Sequence, residues 1–308
     1  MENFIGYERI IDSFKIRAKK NTLSHAHIIV GPDGIGKSIL AKIFAVNILN
    51  KPEMRDYIDI INYRLKKASF GIDEIREVIS EINKRPYEGD KKVVIIHNGD
   101  KMTVQAQNAF LKTIEEPPQG VYIIILTESL ELMLDTIKSR SQLYKLTPLS
   151  NGEIEKYLSK IGKRHDEKYS VAIAYSGGIP GRAERIFDDD KLIEARNIII
   201  DIFKSTAKRD LKILNYESNL VSLKIDKQEI INIMALFIRD IIVYKELNNK
   251  QKIINIDKYE EIDVLSSLLS YKKLESMLKY IDKARINIKN NISYSIIINM
   301  LLIGFLED

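Results

Sequence analysis

The octapeptide "GPDGIGKS", residues 31–38, constrains this chain more than any other feature. Gly31, Gly36, Lys37 and Ser38 satisfy G-x-x-x-x-G-K-[ST] without a gap, and Gly34 lies between them. The spacing has a mechanical basis. Glycines let the backbone curl until its N–H groups converge on phosphate oxygens, the lysine reaches the β and γ phosphates, and the hydroxyl at the helix N-terminus can ligate Mg²⁺. Such a loop belongs between a buried strand and a helix. "AHIIV" (26–30) supplies the strand, and "ILAKIFAVNIL" supplies an apolar helical face through Ile39, Leu40, Ile43 and Phe44. That context argues against a chance match; a loop that has lost its nucleotide is the competing account.

The alternation of strand and helix continues to about residue 148. A helix is predicted at "IDEIREVISEIN", with Ile72, Ile75, Ile79 and Ile82 on one stripe and Pro86 as its stop. A strand follows at 93–96, a helix through "QAQNAFLKTIEE" ends at Pro117-Pro118, and strands are predicted at "VYIIILT" (121–127) and "QLYKL" (142–146). Strands apolar on both faces and separated by helices indicate a parallel α/β sheet. Beyond residue 148 the strand pattern stops. Short helices broken at Gly177-Gly178 are followed, from about 191, by long amphipathic helices. The expected architecture is therefore an α/β domain over 1–148, a small helical lid over 149–190 and an all-α domain over 191–308.

One stretch resists the simplest functional reading. Strand 93–96 runs into His97 and Asn98, where a nucleotide hydrolase needs a carboxylate to organise Mg²⁺ and usually a second one to orient water. A neutral imidazole brings no negative charge, and an amide cannot take a proton from water. Asp100 lies beyond Gly99, past the expected strand end, and reaches the site only if the turn bends back. The residues thus point to a chain that binds ATP yet hydrolyses it poorly or not at all; a strand-end histidine bonded to backbone fits equally well.

Composition removes other classes. The 308 residues contain no cysteine, which excludes disulfides and thiolate zinc sites. A net charge of +5 within a charged fraction of 30% does not by itself argue for DNA binding. "MENFIGYERI" lacks the layout of a signal peptide, and "IIINMLLIGFL" (296–306) is too short to span a bilayer, so a cytoplasmic protein without a membrane partner is expected.

The order "GPDGIGKS", "GIDEIREV", "KVVIIHNGDKMTVQAQNAFLKTIEEPP", "IIILTES", "IKSRSQLYKL" and "GGIPGRA" resembles the clamp-loader subunits of bacterial DNA polymerase III, of the AAA+ class, and the delta-prime type in particular. "AQNAFLKTIEEPP" is the most specific block, and the motifs cover roughly residues 1–190. The resemblance implies a P-loop (AAA+) fold with a lid and a helical collar. It implies ATP or ADP at Lys37 and Ser38, with Mg²⁺ if ATP is bound. Thr127 falls on the polar sensor position that reads the γ-phosphate. Arg140, in "SRS", matches the arginine that projects into the neighbouring subunit's nucleotide site. Implied partners are gamma/tau-type and delta-type subunits, with the sliding clamp and primed DNA reached through the complex. Four departures stand out. Ser141 replaces a cysteine, and His97-Asn98 replace the acidic pair of the motor subunits. Gly181 occupies the place of a second sensor arginine, which leaves Arg182, one step later, a weak role. The family's four-cysteine zinc module has no counterpart in "NKPEMRDYIDIINYRLKK", so no zinc is expected. A small-molecule kinase is the reading from another class, but no acceptor pocket is legible.

Overall fold

A computed structural model describes residues 4–64, 69–163 and 167–307. Leu65, Lys66 and Lys67, at the end of the stretch without a zinc module, and Asp166, in the expected lid, lie outside the described residues. Two compact units result: Met1–Gly162 with Gly177–Arg182, and Lys163–Ser176 with Ala183–Asp308.

The first unit is built on five parallel strands, β1 (Ala26–Val30), β2 (Ile60–Tyr63), β3 (Lys92–Ile96), β4 (Val121–Thr127) and β5 (Gln142–Lys145), in the order β2-β3-β4-β1-β5. Its helices are α1 (Glu8–Lys19), α2 (Lys37–Ile48), α3 (Ile72–Ile82), α4 (Val104–Glu115), α5 (Asp135–Ser139) and α6 (Asn151–Lys160). The runs of Ile and Val arise because both sheet faces are covered. Register pairs Ala26 with Ile123 and Ile28 with Ile125, and this face packs on Ile75, Val78 and Ile82 of α3 and on Ala106, Phe110 and Ile114 of α4. The buried stripe of α3 is thus centred on Val78, with Ile72 and Ile79 only partly covered. The opposite face presents His27, whose ring lies against Phe14, Phe44 and Tyr144. On α2, Leu40, Ile43 and Phe44 are buried as expected, but Ile39 is exposed, because it sits on the far side of the helix from the sheet.

The second unit is helical: α7 (Glu167–Tyr175), α8 (Pro180–Asp188, whose first residues belong to the first unit), α9 (Asp190–Lys208), α10 (Tyr216–Ser222), α11 (Lys227–Leu247), α12 (Tyr259–Leu268), α13 (Tyr271–Lys289) and α14 (Tyr294–Leu306). Phe203, Phe237 and Phe305 meet edge to face at its centre, with ring centroids 6.0–6.4 Å apart. Beside them lies a buried ionic network. Arg196 Nη2 donates to Asp257 at 2.7 Å and to Asn255 Oδ1 at 3.0 Å, and Tyr175 donates to the same amide oxygen. Fully buried Asp240 accepts from the backbone N–H groups of Ile254 and Asn255, from the Asn255 side chain and from Arg239. Buried charge is tolerated here because nearly every lone pair has a donor.

Candidate nucleotide site and arginine finger

The P-loop sits where the sequence puts it, between β1 and α2. Gly36 caps α2 with φ 106°, and Gly34 has φ 79°, both in the left-handed region that favours glycine. Lys37 Nζ donates to the loop's own carbonyls, Gly31 O at 2.7 Å and Pro32 O at 3.0 Å. Burial lowers the pKa of this ammonium, opposed by the nearby carboxylates Glu128, Asp33 and Asp100.

The ladder brings Thr127 to the loop. It is in register with Val30, and Gly31 N donates to Thr127 O at 3.1 Å. The Thr127 hydroxyl lies 3.0 Å from both Asp100 Oδ1 and Ser129 O, so its single proton serves one of them at a time.

That contact corrects the expectation for Asp100: the turn after β3 does bend back. Asn98 adopts φ 57°, a left-handed conformation that asparagine tolerates, and a single 3₁₀ turn follows over Gly99–Lys101. A Cβ on Gly99 would lie 2.5 Å from Ile125 Cγ2, so only glycine allows the turn to press against β4. Asp100 Oδ1 then also accepts from Glu128 N at 3.0 Å. His97 goes the other way, with Nε2 at 3.0 Å from Asn62 Oδ1 on β2 rather than on backbone. Burial first, and Arg64 second, push its pKa down to about 4, which keeps it neutral at pH 7.

Residues 177–182 close over the loop. Gly181 N donates to Gly34 O at 3.0 Å, and a Cβ at 181 would meet Gly34 Cα at 3.1 Å. Glycine at 181 therefore has a packing reason. Arg182 follows at the start of α8, its N–H donating to Ile179 O at 3.1 Å. The curled glycines, the ammonium at the loop carbonyls and Ser38 in the first turn of α2 form a donor set that fits a nucleotide's phosphates with Mg²⁺.

Two family models match this chain, "DNA polymerase III, delta subunit" over residues 6–150 and "DNA polymerase III, delta subunit, C terminal" over 190–307, and together they cover most of it. The chain belongs to this family. It is a delta-prime-like member of the clamp-loader subunits. It is 33% identical over 124 residues to subunit delta' of Escherichia coli, an alignment covering 40% of this chain and 37% of that protein. It is 28% identical over 214 residues to subunit delta' of Buchnera aphidicola, covering 68% and 62%. These alignments thus span less than two thirds of the relatives' own length. A solved gamma subunit-related protein from Thermotoga maritima shares the fold, with TM-score 0.53 at 17% identity, covering 96% of this chain and 98% of that one.

In this clamp-loader chain Arg140 stands apart from the P-loop elements, as the C-cap residue of α5. Its Nε lies 2.7 Å from Glu115 Oε1 at the end of α4. Its Nη1 donates to Thr136 O at 3.2 Å and, weakly, to Ser139 Oγ at 3.4 Å. The side chain is 41% exposed. Gln107, fully satisfied and buried in α4, accepts from Leu134 N at 2.8 Å and donates to Leu132 O at 2.9 Å, which fixes the approach to α5. Sequence reading missed both Gln107 and Glu115 as site residues. They lie inside "AQNAFLKTIEEPP", the block that carried the resemblance, but the partners that tie them to the approach and end of α5 lie 25 or more residues away.

Proposed function

We propose that this chain is a delta-prime-like subunit of a DNA polymerase III clamp loader that lends Arg140 to the nucleotide site of an adjacent subunit. The supporting observation is the presentation of Arg140: a half-exposed guanidinium at a helix end, outside the chain's own P-loop elements. An arginine supplied in trans stabilises charge on a transferring phosphoryl group, worth about 10³–10⁵ in rate. Gly31, Gly34, Gly36, Lys37, Ser38 and Thr127 would hold ATP or ADP, whose phosphates supply the charge that orders the loop. The partners are gamma/tau-type and delta-type subunits, with the sliding clamp and primed DNA engaged through the assembly, in the cytoplasm. The three-part division at about 148 and 190 belongs to the same reading, with residues 191–308 as the collar. Exposed Ile296, Met300 and Ile303, along one face of α14, suit such a joining surface. Deleting residues beyond about 205 should abolish co-purification with the other subunits; retained assembly defeats the collar role.

The deciding experiment is reconstitution with clamp and primed DNA. Arg140→Ala should lower ATP turnover at the adjoining site without dissociating the complex, and full activity in that variant removes the trans role. Asp100, bonded to Thr127 beside the P-loop, favours a second reading in which this chain turns over its own ATP. That reading requires steady turnover by the isolated chain, abolished by Lys37→Ala and by Asp100→Asn. Nucleotide titration of wild type and Lys37→Ala separates both from a scaffold whose loop stays empty.

A further inference from the structure

We infer that Glu115 is the positioning residue of Arg140: it grips the guanidinium by Nε so that Nη2 faces outward toward an anionic oxygen of another molecule. The inference rests on the trans role proposed for Arg140. It is carried by the way the contacts divide the guanidinium. Nε is engaged by the Glu115 carboxylate and Nη1 by Thr136 O and Ser139 Oγ, while Nη2 has no partner among the described residues.

A planar guanidinium held at both Nε and Nη1 has a fixed plane and therefore a fixed Nη2. An unheld arginine loses rotamer freedom when it docks; this one has already lost it. The carboxylate is not a full mask: a bidentate grip on both Nη atoms would hide the outer edge of the guanidinium, whereas a grip on Nε leaves the outward N–H of Nη2 open. Glu115 and Arg140 are 25 positions apart but sit at neighbouring ends of α4 and α5, and α4 also fixes the start of α5 through Gln107. One helix thus sets both the root and the tip of the arginine. The charge of Glu115 is not what the geometry requires. An amide oxygen in the same place keeps an acceptor at the same distance from Nε, so Glu115→Gln should retain the orientation that Glu115→Ala releases.

The test compares wild type, Glu115→Ala, Glu115→Gln, Arg140→Ala and the Glu115→Ala/Arg140→Ala double variant in the reconstituted complex. Glu115→Ala should lower clamp- and DNA-stimulated kcat about 3- to 10-fold with little change in KM for ATP. Glu115→Gln should restore it to within about twofold, and the double variant should match Arg140→Ala alone. If Glu115→Ala matches wild type while Arg140→Ala is impaired, or if the two losses multiply, the positioning role is overturned and the trans role survives. If Arg140→Ala is fully active, both fall. In the isolated chain, the Arg140 Nε–H NMR signal, assigned by its loss in Arg140→Ala, should be slow to exchange in wild type and Glu115→Gln and fast in Glu115→Ala. Equal exchange in all three overturns the inference without any need for assembly, and a circular-dichroism melt of each variant reports whether it is folded.

Discussion

Arg140 in the α/β unit and Arg196 in the helical unit each meet a carboxylate at 2.7 Å, yet one side chain is 41% exposed and the other 2%. Around Arg196 the contacts are internal: Nη2 meets Asp257 and Asn255, the rings of Tyr175 and Phe237 lie within reach, and Nε is buried without a partner. Almost none of the side chain reaches solvent, and the network serves to specify how α7, α9 and the segment around residues 253–258 pack. Around Arg140 the contacts stop short of completion, and what is unspent faces solvent. The difference teaches what separates the two ion pairs: burial marks the one that specifies packing, and partial exposure marks the one that another molecule could reach.

Four measurements break or sharpen that contrast. The largest effect is expected at Asp240. Replacing it with Ala strips partners from buried backbone and amide donors and should cost about 3–5 kcal/mol in urea unfolding followed by circular dichroism; a cost below about 1 kcal/mol would show that the network does not hold the helical unit together.

Acid should come next, acting on the first unit. Burial, the largest cause, holds His27 down to about 4. Below pH 6.5 the unfolded chain takes up a proton that the folded chain refuses. Stability is therefore complete above about pH 6.5 and falls by about 1.4 kcal/mol per pH unit for this group until about pH 4. His27→Phe, which keeps an aromatic ring among Phe14, Phe44 and Tyr144, should roughly halve the slope of the urea midpoint over that window, because His97, likewise held down to about 4, acts over the same range. An unchanged slope removes His27 as the cause.

A methyl at Gly99 is smaller in its reach but more informative about the site. Gly99→Ala should cost about 1–3 kcal/mol by overpacking against Ile125 and should weaken the Asp100–Thr127 contact. A crystal structure of that variant with the turn unmoved would refute the account. Smallest of all, Arg140→Ala should change unfolding free energy by no more than about 0.5 kcal/mol, as half-exposed pairs generally do. A loss of several kcal/mol would place Arg140 with Arg196, as a fold residue.

Much of the first unit was legible because its signals are local. Strands 26–30 and 121–127 were readable to the residue, since apolar runs flanked by breakers leave little freedom. β2 was not. Ile60–Tyr63 is an edge strand with only partial burial, and its short, half-apolar run carries no strong period. α1 escaped as well, because its buried positions are few, chiefly Ile11 and Phe14. The site divided along the same line. The phosphate loop is one contiguous motif and could be read. The return of Asp100 depends on how Gly99 meets Ile125 across the sheet, and the Glu115–Arg140 pair depends on the packing of two helices. Neither leaves a mark on spacing along the chain.

The hold of Gly178 and Gly181 on the first unit has a practical consequence. The backbone leaves that unit after Gly162, returns for Gly177–Arg182 and leaves again, so the path is threaded rather than sequential. A protease that nicks the chain at one of these passages severs a strand of connection, not the unit's own integrity. Conversely, a fragment that stops at residue 162 is missing a clasp: Leu149 N loses Gly178 O, and Gly34 O loses Gly181 N. A truncation that aims at the first unit alone therefore needs residues well downstream of where that unit seems to finish.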